Sequence, residues 1–196
     1  MQFRDERRTA VVICTGQSAG RIDLEPAKRF PRIVVNDGYI LDASADVLYA
    51  CDPRWWKFHG PAVNAGFPGR KFCPDEPTCK AFGLEHVEIE RKPGLSKRAG
   101  VVYTGGIVGN SGAQAINLAY LFGARRIVLI GMDMGGPHFF GNHPKTLGPT
   151  DSNYKSMILA MSQMAADLHA EGVEVLNCSD VKNIPYWPAG KSIPVE

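Results

Sequence analysis

The sequence contains no long hydrophobic run, since no stretch approaches the roughly 20 apolar residues that a membrane span needs. The first ten residues carry charges of both signs and lack the apolar core of a signal peptide. The net charge of +2 is too small to indicate nucleic-acid binding by itself. We therefore predict a cytoplasmic protein that binds neither a membrane nor nucleic acid directly.

A disulfide framework is also missing, because the five cysteines are odd in number and scattered along the chain. Cys14, Cys51 and Cys178 end apolar runs, so we expect them to be small buried hydrophobic residues. Cys73 and Cys79 flank a loop of Pro, Asp and Glu and would supply half of a metal site. No second Cys or His pair has the spacing that completes such a site, so burial is the favoured interpretation.

Apolar, β-branched runs alternate with segments of helical character along most of the chain. The predicted strands cover residues 9–15, 32–36, 46–51, 86–90, 101–103, 126–131 and 173–176. The predicted helices cover residues 24–30, 54–59 and 110–122, and a last helix, capped by Asp151 or Ser152, runs to Glu171. Residues 60–83 are rich in Gly and Pro and are predicted to leave this regular pattern.

This alternation predicts an α/β protein with a Rossmann-like, doubly wound, mostly parallel sheet and helices on both faces. No internal repeat or linker interrupts the pattern, so a single domain over residues 1–196 is the simplest organisation. Ligands of open α/β sheets bind beyond the carboxyl ends of the strands. The polar and glycine residues that follow predicted strands there are Gly16, Gln17, Ser18, Asn36, Asp37 and Asp133.

The position of Asp37 in the sequence favours a contact with a ribose. It lies 21 residues after Gly16, which is the separation at which an acidic residue contacts a ribose in dinucleotide sites. A solvated turn explains an acidic residue at the end of a strand nearly as well. Both interpretations of Asp37 stay open at this point.

The segment from Gly105 to Gly112 carries the strongest signal for a ligand. Gly106, Gly109 and Gly112 recur every third residue where a strand leads into a helix. Glycines let a ligand approach the main-chain N–H groups, and a helix N-terminus favours phosphate. Asn110 and Ser111 would add side-chain donors, which are further candidates for nucleotide contacts. The alternative is a tight turn that only packs the helix on the sheet.

Neither standard phosphate-binding signature is present in this segment. It lacks the Gly-Lys-Ser/Thr end of a Walker loop and the G-x-G-x-x-G spacing of dinucleotide sites. An NAD-type protein is therefore disfavoured, and no tightly bound organic cofactor is predicted.

Two histidines are the candidates for chemistry. His138 and His143 share a loop with Asp133, and an imidazole can act as a general base near neutral pH. Together with Asp133 they could instead hold a divalent ion such as Mg²⁺, which would neutralise phosphate charge. Exposed histidines on a flexible loop are the remaining alternative.

Four stretches of the sequence are similar to motifs of the bacterial lipooligosaccharide sialyltransferases. They are V-I-C-T-G-Q-S-A-G-R-I-D (12–23), V-V-N-D-G-Y (34–39), N-S-G-A-Q-A-I-N-L-A-Y-L-F-G-A-R-R-I-V-L-I-G-M-D (110–133) and H-F-F-G-N-H (138–143). The same skeleton resembles the 6-hydroxymethylpterin diphosphokinase-like family, including small phage or prophage relatives. Two departures are Gln17 in place of the turn proline and the additional Asn142 before His143.

The resemblance implies roles for individual residues. Those expected to contact the nucleotide are Gly16, Gln17, Ser18 and Asn36. Those expected to hold its phosphate or sugar are Asn110, Ser111 and Gly112. His143 would be the catalytic base, with His138 as second choice.

We therefore predict a nucleotide-dependent transferase of the glycosyl or diphosphate type, whose partner is a nucleotide or nucleotide-sugar. A homo-oligomer is compatible with the sequence. The alternative is a non-catalytic protein of phage origin that binds or sequesters a nucleotide.

Overall fold

The computed structural model describes residues 1–3, 5–104, 109–147, 153–180, 183–190 and 192–194. Its strands are β1 Thr9–Ile13, β2 Arg32–Val35, β3 Val47–Tyr49, β4 Arg70–Cys73, β5 Glu85–His86, β6 Glu88–Glu90, β7 Val101–Tyr103, β8 Arg126–Ile130 and β9 Glu174–Asn177. Its α-helices are α1 Pro53–Gly66, α2 Glu76–Phe82, α3 Ser111–Leu121 and α4 Tyr154–Ala170. Short 3₁₀ helices span Gln17–Arg21, Glu25–Arg29, Asn36–Ile40 and Lys145–Leu147.

The main sheet is parallel throughout and has the strand order β5-β4-β3-β2-β1-β8-β9. From β1 the chain adds strands in one direction as far as β5. It then forms the separate β6–β7 pair and returns to place β8 on the other side of β1. The direction of winding therefore reverses between β1 and β8, and such a switch point opens a crevice at the carboxyl edge of a sheet.

Helices cover both faces of this sheet. Alternate side chains of a strand point to opposite faces, and in β1 Val12 packs with the residues of α3 and α4, whereas Val11 and Ile13 pack with those of α1. The inner strands β1, β2, β3 and β8 are buried on both sides, which explains their apolar runs. The predicted Rossmann-like, doubly wound α/β fold is confirmed.

The prediction for residues 60–83 was wrong. This stretch contains the second half of α1, all of β4 and all of α2. Asp52 and Asp75 cap the two helices, each followed by a proline in the first turn, which is a helix-start signal. The prolines and glycines there mostly mark the ends of regular elements and do not replace them.

The start of α4 also differs from the expectation. Asn153 is the N-cap, and its side chain accepts a hydrogen bond from the main-chain N–H of Ser156 at 3.2 Å. The expected caps, Asp151 and Ser152, lie outside the described residues. In the described chain, every helix is too short or too polar to cross a membrane.

The cysteines are free thiols in the described structure. Cys14 and Cys178 are buried as expected, whereas Cys51 is only half-buried. Cys73 and Cys79 are both buried in the core under α1. The Cys79 thiol donates a hydrogen bond to the Cys73 carbonyl oxygen at 3.2 Å, so this pair belongs to the core packing.

Candidate functional site

A cavity of about 220 Å³ lies at the switch point of the sheet. Its walls are the turns after β1, β2 and β8, the N-terminus of α3 and the start of α4. The predicted site residues that line it are Gly16, Asn36, Gly109, Asn110, Ser111, Gly112, Asp133, His138 and His143. Lining residues that sequence reasoning missed include Thr15, Met132, Met134, Tyr154 and Met157. The structure thus brings together segments that are more than 100 residues apart in the chain.

Asn36 is held in an uncommon conformation directly after β2. Its φ of +48° lies in the left-handed region, which Asn tolerates better than most residues other than Gly. Among the described residues its side chain has no hydrogen-bond partner. The carboxamide is therefore available to a molecule in the cavity, and backbone strain of this kind often occurs at functional sites.

Ser18 and Asp133 bind each other. Asp133 Oδ2 accepts a 2.8 Å hydrogen bond from the Ser18 main-chain N–H, and Asp133 Oδ1 accepts a hydrogen bond from the Ser18 hydroxyl. Ser18 is fully buried, and Asp133 is 1% exposed. The sequence predicts that Ser18 contacts a nucleotide. In the structure, its main-chain N–H and its hydroxyl both donate to the Asp133 carboxylate instead.

In the described structure, Asp133, His138 and His143 are not arranged together as a set of metal ligands. Within the described ranges, no three His, Cys, Asp or Glu side chains come together in a way that could hold a metal ion. The Ser18 main-chain N–H and hydroxyl donate hydrogen bonds to both Asp133 oxygens. A role for Mg²⁺ bound in another way stays a prediction.

The N-terminus of α3 faces the cavity. Asn110 is its N-cap, and Asn110 Oδ1 accepts hydrogen bonds from the N–H groups of Gly112 at 2.9 Å and Ala113 at 3.3 Å. Ser111 Oγ lies 3.0 Å from Cys51 Sγ. The helix directs the partial positive charge of its N-terminus toward the space where an anion would bind.

The glycine repeat before α3 has a packing function at one position. A Cβ on Gly112 would lie 2.7 Å from Met132 Cε, so glycine allows α3 to approach the Met132 side chain closely, and the flexible end of that side chain would have to shift to admit a larger residue. Gly109 lines the cavity, and Gly106 lies outside the described residues. At Gly112 the packing interpretation of the spacing therefore applies whether or not a ligand binds.

Asp37 and Gln17 lie outside this cavity. The Asp37 carboxylate accepts a 2.9 Å hydrogen bond from Trp55 Nε1 and lies 3.3 Å from His59 Nε2. It is 4% exposed and connects the turn after β2 to the first turns of α1. The structure thus buries Asp37 against α1, so the solvated-turn interpretation was wrong, and the ribose contact stays a prediction.

His138 and His143 are neighbours in the cavity wall, with ring centroids 4.8 Å apart. The His138 ring stacks on Phe140 with a centroid separation of 5.0 Å. His138 Nδ1 lies 3.2 Å from the Thr15 carbonyl oxygen. Because a carbonyl oxygen only accepts, Nδ1 is the protonated nitrogen, and Nε2 is left as a potential acceptor.

We expect the stability of the protein to fall as the pH drops below about 6.5. Burial lowers the pKa of His138, and the charge of His143 lowers it further. Burial likewise lowers the pKa of His59. In the window between the unfolded-state pKa and these lower folded-state values, the unfolded chain binds more protons, so the free energy of unfolding decreases.

Melting temperatures at pH 7.5, 6.5 and 5.5 test this expectation. His138→Gln should show a smaller loss on acidification than the wild type, whereas His169→Gln, at an exposed position on α4, should keep the wild-type loss. An unchanged pH dependence in His138→Gln would contradict the assignment.

Solved structures of sialyltransferases share the fold of this chain. The sialyltransferase CstII from Campylobacter jejuni, in complex with the substrate analogue CMP-3FNeuAc, has a TM-score of 0.61 and 12% identity over 94% of this chain and 87% of that chain. CST-II in complex with a trisaccharide acceptor and CMP has a TM-score of 0.61 and 11% identity over the same shares. The monofunctional α-2,3-sialyltransferase Cst-I from Campylobacter jejuni has a TM-score of 0.60 and 13% identity over 96% and 82%.

No protein-family model matches the sequence, and comparison with curated proteins gives no match either. At 11–13% identity the three structures establish a shared fold.

Proposed function

We propose that this chain is a nucleotide-sugar-dependent glycosyltransferase whose donor binds in the switch-point cavity. The observation that carries the proposal is the convergence of Asn36, the α3 N-terminus and two histidines at one cavity. The same fold occurs in sialyltransferases that were crystallised with CMP and with CMP-3FNeuAc. A nucleotide-sugar is therefore the ligand class that the site and the fold favour together.

The charge of the cavity favours a donor with one phosphate. In the described part of the lining there is no Lys or Arg side chain. Neutralisation of a bound anion would depend on main-chain N–H groups and the α3 N-terminus. These groups suit the single negative charge of a nucleoside monophosphate sugar better than the several charges of a di- or triphosphate.

The proposed reaction transfers the sugar to an acceptor hydroxyl. The hydroxyl oxygen attacks the anomeric carbon, and His143 takes the hydroxyl proton. The bond between the anomeric carbon and the phosphate oxygen breaks, so that the nucleoside monophosphate leaves with the electron pair. The α3 N-terminus would stabilise the charge that develops on the departing phosphate.

Thermal unfolding with added nucleotides tests the proposal. We expect CMP to raise the melting temperature more than CDP, ATP or GTP, with AMP as the control for base preference. Ligand at 100 times its Kd stabilises a protein by about 2.7 kcal/mol, which corresponds to roughly 5–10 °C for a chain of this size. If none of these nucleotides shifts the transition at millimolar concentration, the cavity is not a nucleotide site.

A further inference from the structure

We infer that Asp133 and Ser18 are positioning residues, because their hydrogen bonds hold the turn after β1 against the turn after β8 and so fix the wall that carries His138. This inference rests on the proposed function for its kinetic consequences only. The pair itself is independent of any ligand.

The two residues extend the contact between β1 and β8 beyond the strands. The strands pair as far as Ile13 with Ile130. Past that point, Gly16 N–H donates to the Gly131 carbonyl oxygen at 2.9 Å. The Ser18–Asp133 bonds follow directly, and the Asn183 side chain donates to the Asp133 carbonyl oxygen at 3.0 Å. Asp133 is thus fixed through both its side chain and its main chain.

The turn after β1, which Asp133 holds, also fixes the segment that carries His138. The Thr15 carbonyl oxygen accepts hydrogen bonds from Phe139 N–H at 3.0 Å and from His138 Nδ1 at 3.2 Å. The His138 ring contacts the His143 ring. A shift of the turn after β1 would therefore move Thr15 and change the position and hydrogen bonding of His138.

The electrostatics favour a positioning role over a direct contact with the donor. A carboxylate beside a phosphate would repel it. At Asp133 both oxygens instead accept hydrogen bonds from Ser18, which offsets the cost of burying the charge. Although Asp133 lines the cavity, its carboxylate is directed to Ser18 and only 1% of the residue is exposed, so a ligand would meet the main-chain groups of the turn.

Three variants test the inference: Ser18→Ala, Asp133→Asn and the double substitution. Ser18→Ala removes only the hydroxyl donor, and Asp133→Asn keeps an oxygen that can accept one of the two bonds. Ser162→Ala is the matched control, because its hydroxyl donates a hydrogen bond to the Leu159 carbonyl oxygen at a half-buried position within α4.

The first readout is the ¹⁵N NMR signature of His138 in the protein without nucleotide. We expect the wild type and Ser162→Ala to show the Nδ1–H form, and Ser18→Ala and Asp133→Asn to show a mixture of tautomers. An unchanged His138 signature in both variants would overturn the inference. This readout is independent of whether the protein binds CMP, so it separates a failure of this inference from a failure of the proposed function.

The second readout is glycosyl transfer at a temperature where circular dichroism shows each variant folded. We expect each single variant to lose roughly tenfold in kcat, with the double variant no worse than the poorer single one, because both remove the same interaction. A lowered melting temperature with unchanged kcat and KM would show a purely structural pair and overturn the inference.

Discussion

Replacing His143 with alanine is expected to lower the turnover of glycosyl transfer by about 10²–10⁴-fold, the usual contribution of a general base. His143 lines the cavity and contacts the rings of His138 and Phe140. If His143 takes the proton of the acceptor hydroxyl, removing its imidazole slows the chemical step and leaves the affinity for the nucleotide unchanged. Affinity for CMP, measured by calorimetry, should therefore remain within roughly threefold of the wild type.

Two matched variants separate the possible outcomes for His143. His169→Ala removes an exposed imidazole of α4 and should keep full turnover. His138→Ala should lose less than His143→Ala, since Nδ1 of His138 is bound to Thr15. Greater loss in His138→Ala would transfer the role of base to that residue. CMP binding without turnover in the wild type would favour a non-catalytic nucleotide-binding protein.

Gly16→Ala is expected to destabilise the protein by about 2–3 kcal/mol and to weaken CMP binding at least tenfold. Gly16 has an ordinary φ of −61°, so alanine adds no conformational strain there. Its Cβ would however lie 2.5 Å from the Gly131 carbonyl oxygen and 2.6 Å from Asp133 Oδ2. Neither oxygen can move freely, because one belongs to the main chain and the other is bonded to Ser18.

Gly66→Ala is the matched control for this steric effect. Gly66 ends α1, and a Cβ there would meet no atom within 4 Å. We expect this variant to differ from the wild type by less than about 1 kcal/mol in urea denaturation, with unchanged CMP binding. Equal stability and equal CMP affinity for Gly16→Ala and Gly66→Ala would contradict the close packing of the turn after β1 against the turn after β8.

Much of the fold could be predicted from local sequence patterns. The run at residues 126–131 predicted β8 at Arg126–Ile130, because the consecutive apolar residues 127–130 are typical of a strand buried on both faces. The turns come directly after the predicted strands. The sequence therefore places Gly16 and Asn36 at the carboxyl edge of the sheet. The elements between residues 60 and 83 were missed because their prolines and glycines hid two capped helices.

The pairings within the site could not be predicted in the same way. Ser18 and Asp133 are 115 residues apart in sequence, and no pattern in a single sequence shows that two polar side chains will bind each other. Asp37 has the spacing of a ribose ligand, but its partner is Trp55, which only the packing of α1 brings near. Tyr154 reaches the cavity because α4 starts at its rim, a placement that depends on tertiary structure.

Calorimetric titration of CMP into the wild type and Asn36→Asp is the most direct test of the switch-point cavity as the nucleotide site. Aspartate keeps the size of Asn36 and tolerates its positive φ, but it adds a negative charge to the cavity that is proposed to bind the phosphate. We predict measurable CMP binding by the wild type and by the charge-matched control Asn64→Asp on exposed α1 surface, with a loss of tenfold or more in Asn36→Asp. Equal affinity in Asn36→Asp, or no binding by the wild type, would contradict a nucleotide site in this cavity.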